Sequence, residues 1–310
     1  MTDLFEASDV VVGARPSDVF GVGNVVEHAD VISAEQWMSG RFADHRGRID
    51  LPALAFLFDH VCGMPFYRAV SPEAASLQAR LSVSMCGEVA VGDRVVGQAR
   101  LRKREGDRGT SSVEISAQQS GLCCIGTARS VRVGRAAQFD PISTESVDVL
   151  STNETGFDRV PTPDSGLAGI DVVTQIARGD RAAGPIVELL DARVVDCSGL
   201  GDRRGYSVRF VSTTAEWMGN TFGTMHGGLI ATIAAQACSL AAQAHTAPGQ
   251  EYRLDDFNIG FFRSPEVNGS DINVDVTPVK VGRRIVSLEA TMTADDGTLL
   301  SRATADASYS

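Results

Sequence analysis

The chain has 310 residues and carries 28 Lys and Arg against 39 Asp and Glu, a net charge of −11. That acidity argues against nucleic acid and against an anionic membrane surface as partners, and the length suits two domains of ordinary size better than one core. No apolar run approaches the roughly 20 residues that span a bilayer, no basic-then-apolar signal opens the chain, and the five histidines and six cysteines lack H-x-x-x-H or C-x-x-C spacing, so a metal-free chain in a reducing cytoplasm is expected.

In chain order, the first strongly apolar element is a buried helix over residues 51–62, Leu51-Pro-Ala-Leu-Ala-Phe-Leu-Phe-Asp59-His60-Val-Cys62. Asp59 is the only carboxylate in it. Alternating, β-branched stretches at 76–85, 95–102, 112–118 and 122–133 read as strands, with Gly and Asp turns between them as in antiparallel hairpins. Residues 136–169 are rich in Pro, Ser, Thr, Asp and Gly and read as a crossover between domains. A short helix at 170–178 begins the second unit. A second apolar helix follows at 229–243, then strands at 256–262, 272–281, 285–293 and 298–309.

The two units repeat. Trp37-Met38 matches Trp217-Met218 and Phe42 matches Phe222, each 180 residues apart, whereas Asp59-His60-Val61-Cys62 falls on Ala235-Gln236-Ala237-Cys238 at 176. Gly106 and Gly282, and Gly121 and Gly297, share the spacing of 176. The change from 180 to 176 places 4 extra residues in the first copy between Phe42 and Asp59. A helix followed by a strand meander, twice, gives an α+β chain of two tandem hotdog domains, each a long central helix wrapped by a curved antiparallel sheet. Residues 1–135 form the first, 136–169 the linker and 170–310 the second.

The segment from Asn220 through Gly223 to His226-Gly227-Gly228, running into the second apolar helix, carries the chemistry. Glycines at a helix start let backbone N–H groups face a ligand oxygen, and the helix dipole favours negative charge there. That is how an oxyanion hole for acyl transfer is built. The alternative is an ordinary glycine turn before a core helix. The order Asn, Gly, His-Gly-Gly resembles the signature of the hotdog-fold acyl-CoA thioesterases of the phenylacetate-pathway type, which place an acid nine residues beyond the His. Here that position is Ala235.

In the other copy the loss is reversed. His226-Gly227-Gly228 falls on Asp50-Leu51-Pro52, so the anion-binding glycines are gone, while Asp59 stands where the acid belongs. The resemblance implies that each site draws its His-Gly-Gly turn from one hotdog and its acid from the other. One site then joins Asn220, His226 and Gly227 to Asp59, and the second is chemically empty. A carboxylate among apolar residues either faces a polar cavity or pairs with a backbone group or an Arg. Desolvated in a cleft, its pKa rises toward that of a general base.

The roles implied are these. Asp59 activates water or attacks the thioester, Gly227 N–H binds the oxyanion, Asn220 orients water or braces the turn, and His226 shapes it. Ser76 on the following strand positions the water. Gly223 and Gly228 complete the substrate turn, and Arg263, with Arg283 and Arg284 at a hairpin, offers guanidinium groups to coenzyme A phosphates. The expected activity is hydrolysis of a fatty or aromatic acyl-CoA at one composite site, by a cytoplasmic chain needing no cofactor beyond the coenzyme A of its substrate and able to form oligomers of double hotdogs. Alternatives are a non-catalytic acyl-CoA sensor, an enoyl-CoA hydratase on the same fold, whose Asp–His pair Asp44-His45 and Asp50 supply poorly, or an Asp, Thr and Gln site using Thr232 and Gln236. Phe56, Phe58, Met64 and Phe222 are candidates to truncate the acyl pocket.

Overall fold

A computed structural model describes residues 14–70, 75–134, 166–201 and 205–310. The predicted crossover therefore lies outside the described residues over 136–165. The first half runs α1 (Pro16–Val19), β1 (Val22–His28), β2 (Val31–Trp37), a 3-10 turn (Gly40–Phe42), α2 (Leu51–Ala69), β3 (Ala75–Met85), β4 (Arg94–Glu105), β5 (Arg108–Ala117) and β6 (Gly121–Val133). The second runs α3 (Gly169–Arg178), α4 (Pro185–Leu189), β7 (Ala192–Gly199), β8 (Tyr206–Thr213), a 3-10 turn (Glu216–Met218), α5 (Gly227–Gln243), β9 (Tyr252–Phe261), β10 (Asp271–Val281), β11 (Ile285–Ala294) and β12 (Leu299–Tyr309).

Two strands therefore precede each central helix, where the sequence pattern suggested that the helix comes first. β1 interrupts its alternation with Gly23 and Asn24, shifts register between Gly23 and Val26, and holds Asn24 at φ 52°. β7 is an outer strand with almost no buried face. Neither shows the period of two that marks a half-buried strand. Helix α2 also outruns its expected end at Cys62, because Gly63 and Pro65 read as stop signals. Tertiary packing overrides them: Phe66 and Val70 are buried against Leu101, and the bare Cα of Gly63 admits the Gln78 side chain.

Among the described residues, the twelve strands form one antiparallel sheet in the order β1-β2-β4-β5-β6-β3-β9-β12-β11-β10-β8-β7. Read inward from either edge, the two halves have the same topology. They join through β3 and β9, paired from Arg80↔Gly260 to Ser84↔Asp256, where Ser82 Oγ donates to Asn258 Oδ1 at 2.6 Å. That pairing brings α2 and α5 side by side, each covered by the strands of its own half. Apolar residues from both helices and both half-sheets make one continuous core. Cys62 and Cys238 lie in it, whereas Cys86 is exposed and is not core filler.

The repeat is more regular than the matching residues indicated. The two 3-10 turns correspond at a spacing of 176, so Met218 takes the place of Phe42, and no extra residues separate Phe42 from Asp59 in the first copy. The loops that follow adopt one conformation. Asp44 Oδ1 accepts from the N–H of Arg46 and Arg48, as Asn220 Oδ1 accepts from Phe222 and Thr224. Gly47 at φ 78° and Gly223 at φ 75° occupy the same left-handed position, which glycine adopts without strain. The matches at 180 join residues that are not equivalent in space.

Candidate active site

At the start of α5, His226 is the N-cap, and its Nδ1 accepts from Gly228 N–H at 3.0 Å. Asn220 braces the loop before it, donating through Nδ2 to Met225 O and Thr224 Oγ1, both at 3.2 Å. Every polar atom of Asn220 is engaged in the turn. Gly227 N–H has no acceptor among the described residues, as expected for a first-turn donor.

Asp59, in the middle of α2, faces this turn across the boundary between the halves. A methyl placed on Gly227 would stand 3.1 Å from Asp59 Oδ2 and 3.3 Å from Oδ1. The side chain is 4 % exposed, and Oδ1 has no hydrogen-bond partner. Burial pushes its pKa up to about 7, with Gly228 N–H acting in the opposite direction. A carboxylate held there is half ionised near neutral pH, the condition that suits a general base.

His226 Nδ1 lies 3.4 Å from Asp59 Oδ2. The contact is not an ion pair, because burial and then the neighbouring His60 push His226 down to about 3. Nδ1 accepts from Gly228, so the neutral ring carries its proton on Nε2.

A cavity of about 240 Å³ opens beside the pair. Asp59, Asn220, His226, Gly227, Ser76 and Arg263 all line it. Gly223 does not, and acts through the loop conformation. Gly228 lies behind the wall, where an added methyl would stand 2.9 Å from Phe56 Cδ2. Arg283 and Arg284 are exposed at the turn between β10 and β11, outside the lining residues. Of the four suggested truncating residues, Met64 and Phe222 reach the cavity; Phe56 packs against Gly228, and Phe58 against Gly126. Thr232 and Gln236 are buried away from it with unpartnered side-chain atoms.

The sequence reading missed Gln78, Arg15, His60 and Tyr67, which also line the cavity. Gln78 could have been found as the next residue after Ser76 with the period of two along β3. It accepts from Ser130 Oγ at 2.7 Å. Arg15 comes from α1, which had no sequence signal.

The opposite corner, related by the spacing of 176, keeps a smaller cavity of about 80 Å³, lined by His45, Arg46, Gln243 and Tyr252 but not by Ala235. Arg46, the counterpart of Phe222, donates to Asp44 and Asp50 at 2.8 Å and lies 3.7 Å over the ring of Tyr252, the counterpart of Ser76. Ala235 stands where Asp59 would be, so this corner holds a buried ionic cluster and has no acid beside a glycine turn.

The fold is that of a tandem double-hotdog protein. Residues 222–301 match the family described as Thioesterase superfamily. In solved structures the chain is similar to a tesB protein of Mycobacterium avium subsp. paratuberculosis (7% identity, TM-score 0.57), covering 95% of this chain and 98% of that one. It is also similar to the acyl-CoA thioesterase II TesB2 of Mycobacterium marinum (11% identity, TM-score 0.54), covering 95% and 96%. A hot dog fold protein of unknown function from Alicyclobacillus acidocaldarius aligns at 10% identity and TM-score 0.57, covering 95% and 97%. At these identities the likeness establishes the fold. No curated protein matches the sequence significantly.

Proposed function

We propose that this protein is an acyl-CoA thioesterase with one composite site per chain, built from Asp59 of the first hotdog and the Asn220 to Gly228 turn of the second. The observation that carries the reading is the approach of a buried, partly unpartnered carboxylate to the open N-terminus of α5, beside a cavity. The thioester carbonyl oxygen would accept from Gly227 N–H, at the positive end of the helix dipole. Asp59 would take a proton from a water held near Ser76 and Gln78. Oxygen adds to the carbonyl carbon, the carbon–sulfur bond breaks, and the proton passes to the departing thiolate. In the covalent variant Asp59 itself attacks, the carbon–sulfur bond breaks and the coenzyme A thiolate leaves, and water then hydrolyses the anhydride, freeing Asp59 and giving its proton to the thiolate.

Arg263 would meet a coenzyme A phosphate at the cavity mouth. Of fatty and aromatic acyl groups, the volume of about 240 Å³ favours a short chain or a single ring, being below the roughly 300–1,000 Å³ typical of drug-sized ligand pockets. The opposite corner, where Arg46 is held by Asp44 and Asp50 and Ala235 replaces the acid, would leave one productive site per chain.

The test is thiol release from a panel of acyl-CoAs by wild type and by Asp59→Asn. Hydrolysis is expected to fall roughly 100-fold or more while binding of a non-hydrolysable thioether analogue persists at one per chain. Near-wild-type turnover in the variant would remove Asp59 from the chemistry. Absence of turnover in both, with binding retained, would make the protein an acyl-CoA binder.

A further inference from the structure

The two halves place different residues beside their equivalent loops. α1 of the first half packs against the 3-10 turn of the second half, and α4 of the second packs against that of the first, where Ile186 N–H donates to Ala43 O. Phe20 and Leu190 are both buried, and Gly21 and Asp191 both take positive φ at the approach to the next strand, which aligns the two elements at a spacing of 170. Arg15 then falls on Pro185. At that position the opposite corner has an uncharged ring and the larger cavity a guanidinium.

Only Nε of Arg15 is engaged, with Asp18 Oδ2 at 3.4 Å; its two terminal nitrogens have no partner among the described residues. The side chain is 36% exposed and lines the cavity beside His60. His60 has no hydrogen-bond partner either, although its ring is fixed by Phe56 at 5.8 Å and by His226 at 5.9 Å. Burial, then the charge of Arg15, push His60 down to about 4, so it presents a neutral ring with one N–H. Ser17, on the first turn of α1, adds a hydroxyl to the same wall.

These groups are donors gathered on one wall of a small cavity. Among the described lining residues Asp59 is the one carboxylate, and the reaction uses it as the base. Arg15, Ser17 and His60 are half-buried, and an aliphatic acyl tail laid on this wall would displace water without replacing its hydrogen bonds. A carboxylate would pair with the planar fork of Arg15 in two parallel hydrogen bonds.

We infer that Arg15, with His60 and Ser17, forms a subsite for an anionic group on the acyl part of the substrate, so that the preferred thioester is that of a short dicarboxylic acid. The inference rests on the thioesterase reading. A coenzyme A phosphate is the other source of negative charge for Arg15, and the two sources separate experimentally.

The experiment compares glutaryl and butyryl thioesters of coenzyme A and of N-acetylcysteamine, which lacks phosphates, in wild type, Arg15→Gln and Arg15→Lys. For wild type, kcat/KM should favour glutaryl over butyryl on both carriers. Arg15→Gln should reduce that ratio roughly 10- to 100-fold, the scale of a hydrogen bond to a charged group, and Arg15→Lys should restore part of it. An unchanged ratio overturns the inference. So does a loss that is equal for both acyl groups and confined to the coenzyme A esters, which would assign Arg15 to the phosphates. Titration with non-hydrolysable thioether analogues of the four esters reads the same preference without turnover. The subsite can thus stand or fall separately from the hydrolytic reading: no hydrolysis of any ester rejects the latter, whereas equal affinity for the glutaryl and butyryl analogues rejects the former.

Discussion

Gly227 and Gly228 are adjacent, both helical and both next to α2, yet alanine at each should act through a different mechanism. At Gly227 the new methyl meets Asp59, at 3.1 Å from Oδ2, 3.3 Å from Oδ1 and 3.4 Å from Cγ. No backbone atom is among these contacts, and a small rotation of the carboxylate relieves them. Replacing glycine by alanine in a helix gains about 0.5–1 kcal/mol, so Gly227→Ala should be near neutral in stability. The methyl nevertheless covers the face of the carboxylate that looks toward the open helix end. It removes room for the attacking water and desolvates Asp59 further. Hydrolysis should fall about 100-fold or more, the scale seen when an oxyanion donor or general base is lost.

At Gly228 the methyl meets Phe56 Cδ2 at 2.9 Å and Phe56 Cα at 3.1 Å. Phe56 is fully buried and stacked on Phe20 at 4.3 Å, so neither ring can yield without moving the packed wall. Overpacking of this kind costs about 1–3 kcal/mol, and Gly228→Ala should lose stability first and activity only as a consequence. Thiol release together with urea unfolding separates the two variants. Wild-type turnover in Gly227→Ala, or equal destabilisation by both substitutions, would refute the assignment of the Asp59 face to the reaction.

Other outcomes follow from the same geometry. The rate should rise with pH through a single ionisation near 7 as Asp59 loses its proton, and a kcat/KM profile flat between pH 5 and 9 would contradict that role. Because the folded pKa lies above the unfolded value of about 3.9, the folded state binds the extra proton between pH 4 and 7. Wild type should therefore lose stability relative to Asp59→Asn as pH rises through that window, by up to about 4 kcal/mol, measured by denaturant unfolding at each pH. Arg46→Ala leaves Asp44 and Asp50 buried without their cation and should cost about 3–5 kcal/mol, read as a lower midpoint of unfolding without any second active site appearing.

Much of the fold was legible in the sequence because its signals are local. The apolar runs of α2 and α5, the alternation in β3 to β6 and β10 to β12, and the glycine turns between them depend on near neighbours and mark themselves. So does the complementary exchange between Asp59 with Pro52 in one copy and Ala235 with Gly228 in the other, since a repeat can be aligned without coordinates. The failures do not share one cause: β2 and β8 were missed although each has two neighbours and β2 alternates in burial. β1 and β7 are edge strands held by one neighbour, and α1 is a single turn held by its contact with the opposite half; none has a pattern strong enough to declare itself. The matches spaced by 180 misled because residue identity was compared where backbone conformation is what repeats.

What only the tertiary structure decided is which groups meet. Asp59 lies in a continuous apolar helix, and nothing local distinguishes a carboxylate aimed at a cavity from one paired in the core. The pairing of β3 with β9 sets α2 against α5, and that long-range contact brings Asp59 to the N-terminus of α5 and withholds a hydrogen-bond partner from Oδ1. The same contact places Arg46 over Tyr252 in the opposite corner, where a smaller cavity remains. Arg15 reaches the open cavity only because α1 crosses to the other half. Sequence determined the helices, the strands and the repeat through nearby chemistry, whereas the site depends on desolvation and on distances between residues more than a hundred positions apart, which arise only when the two halves pack.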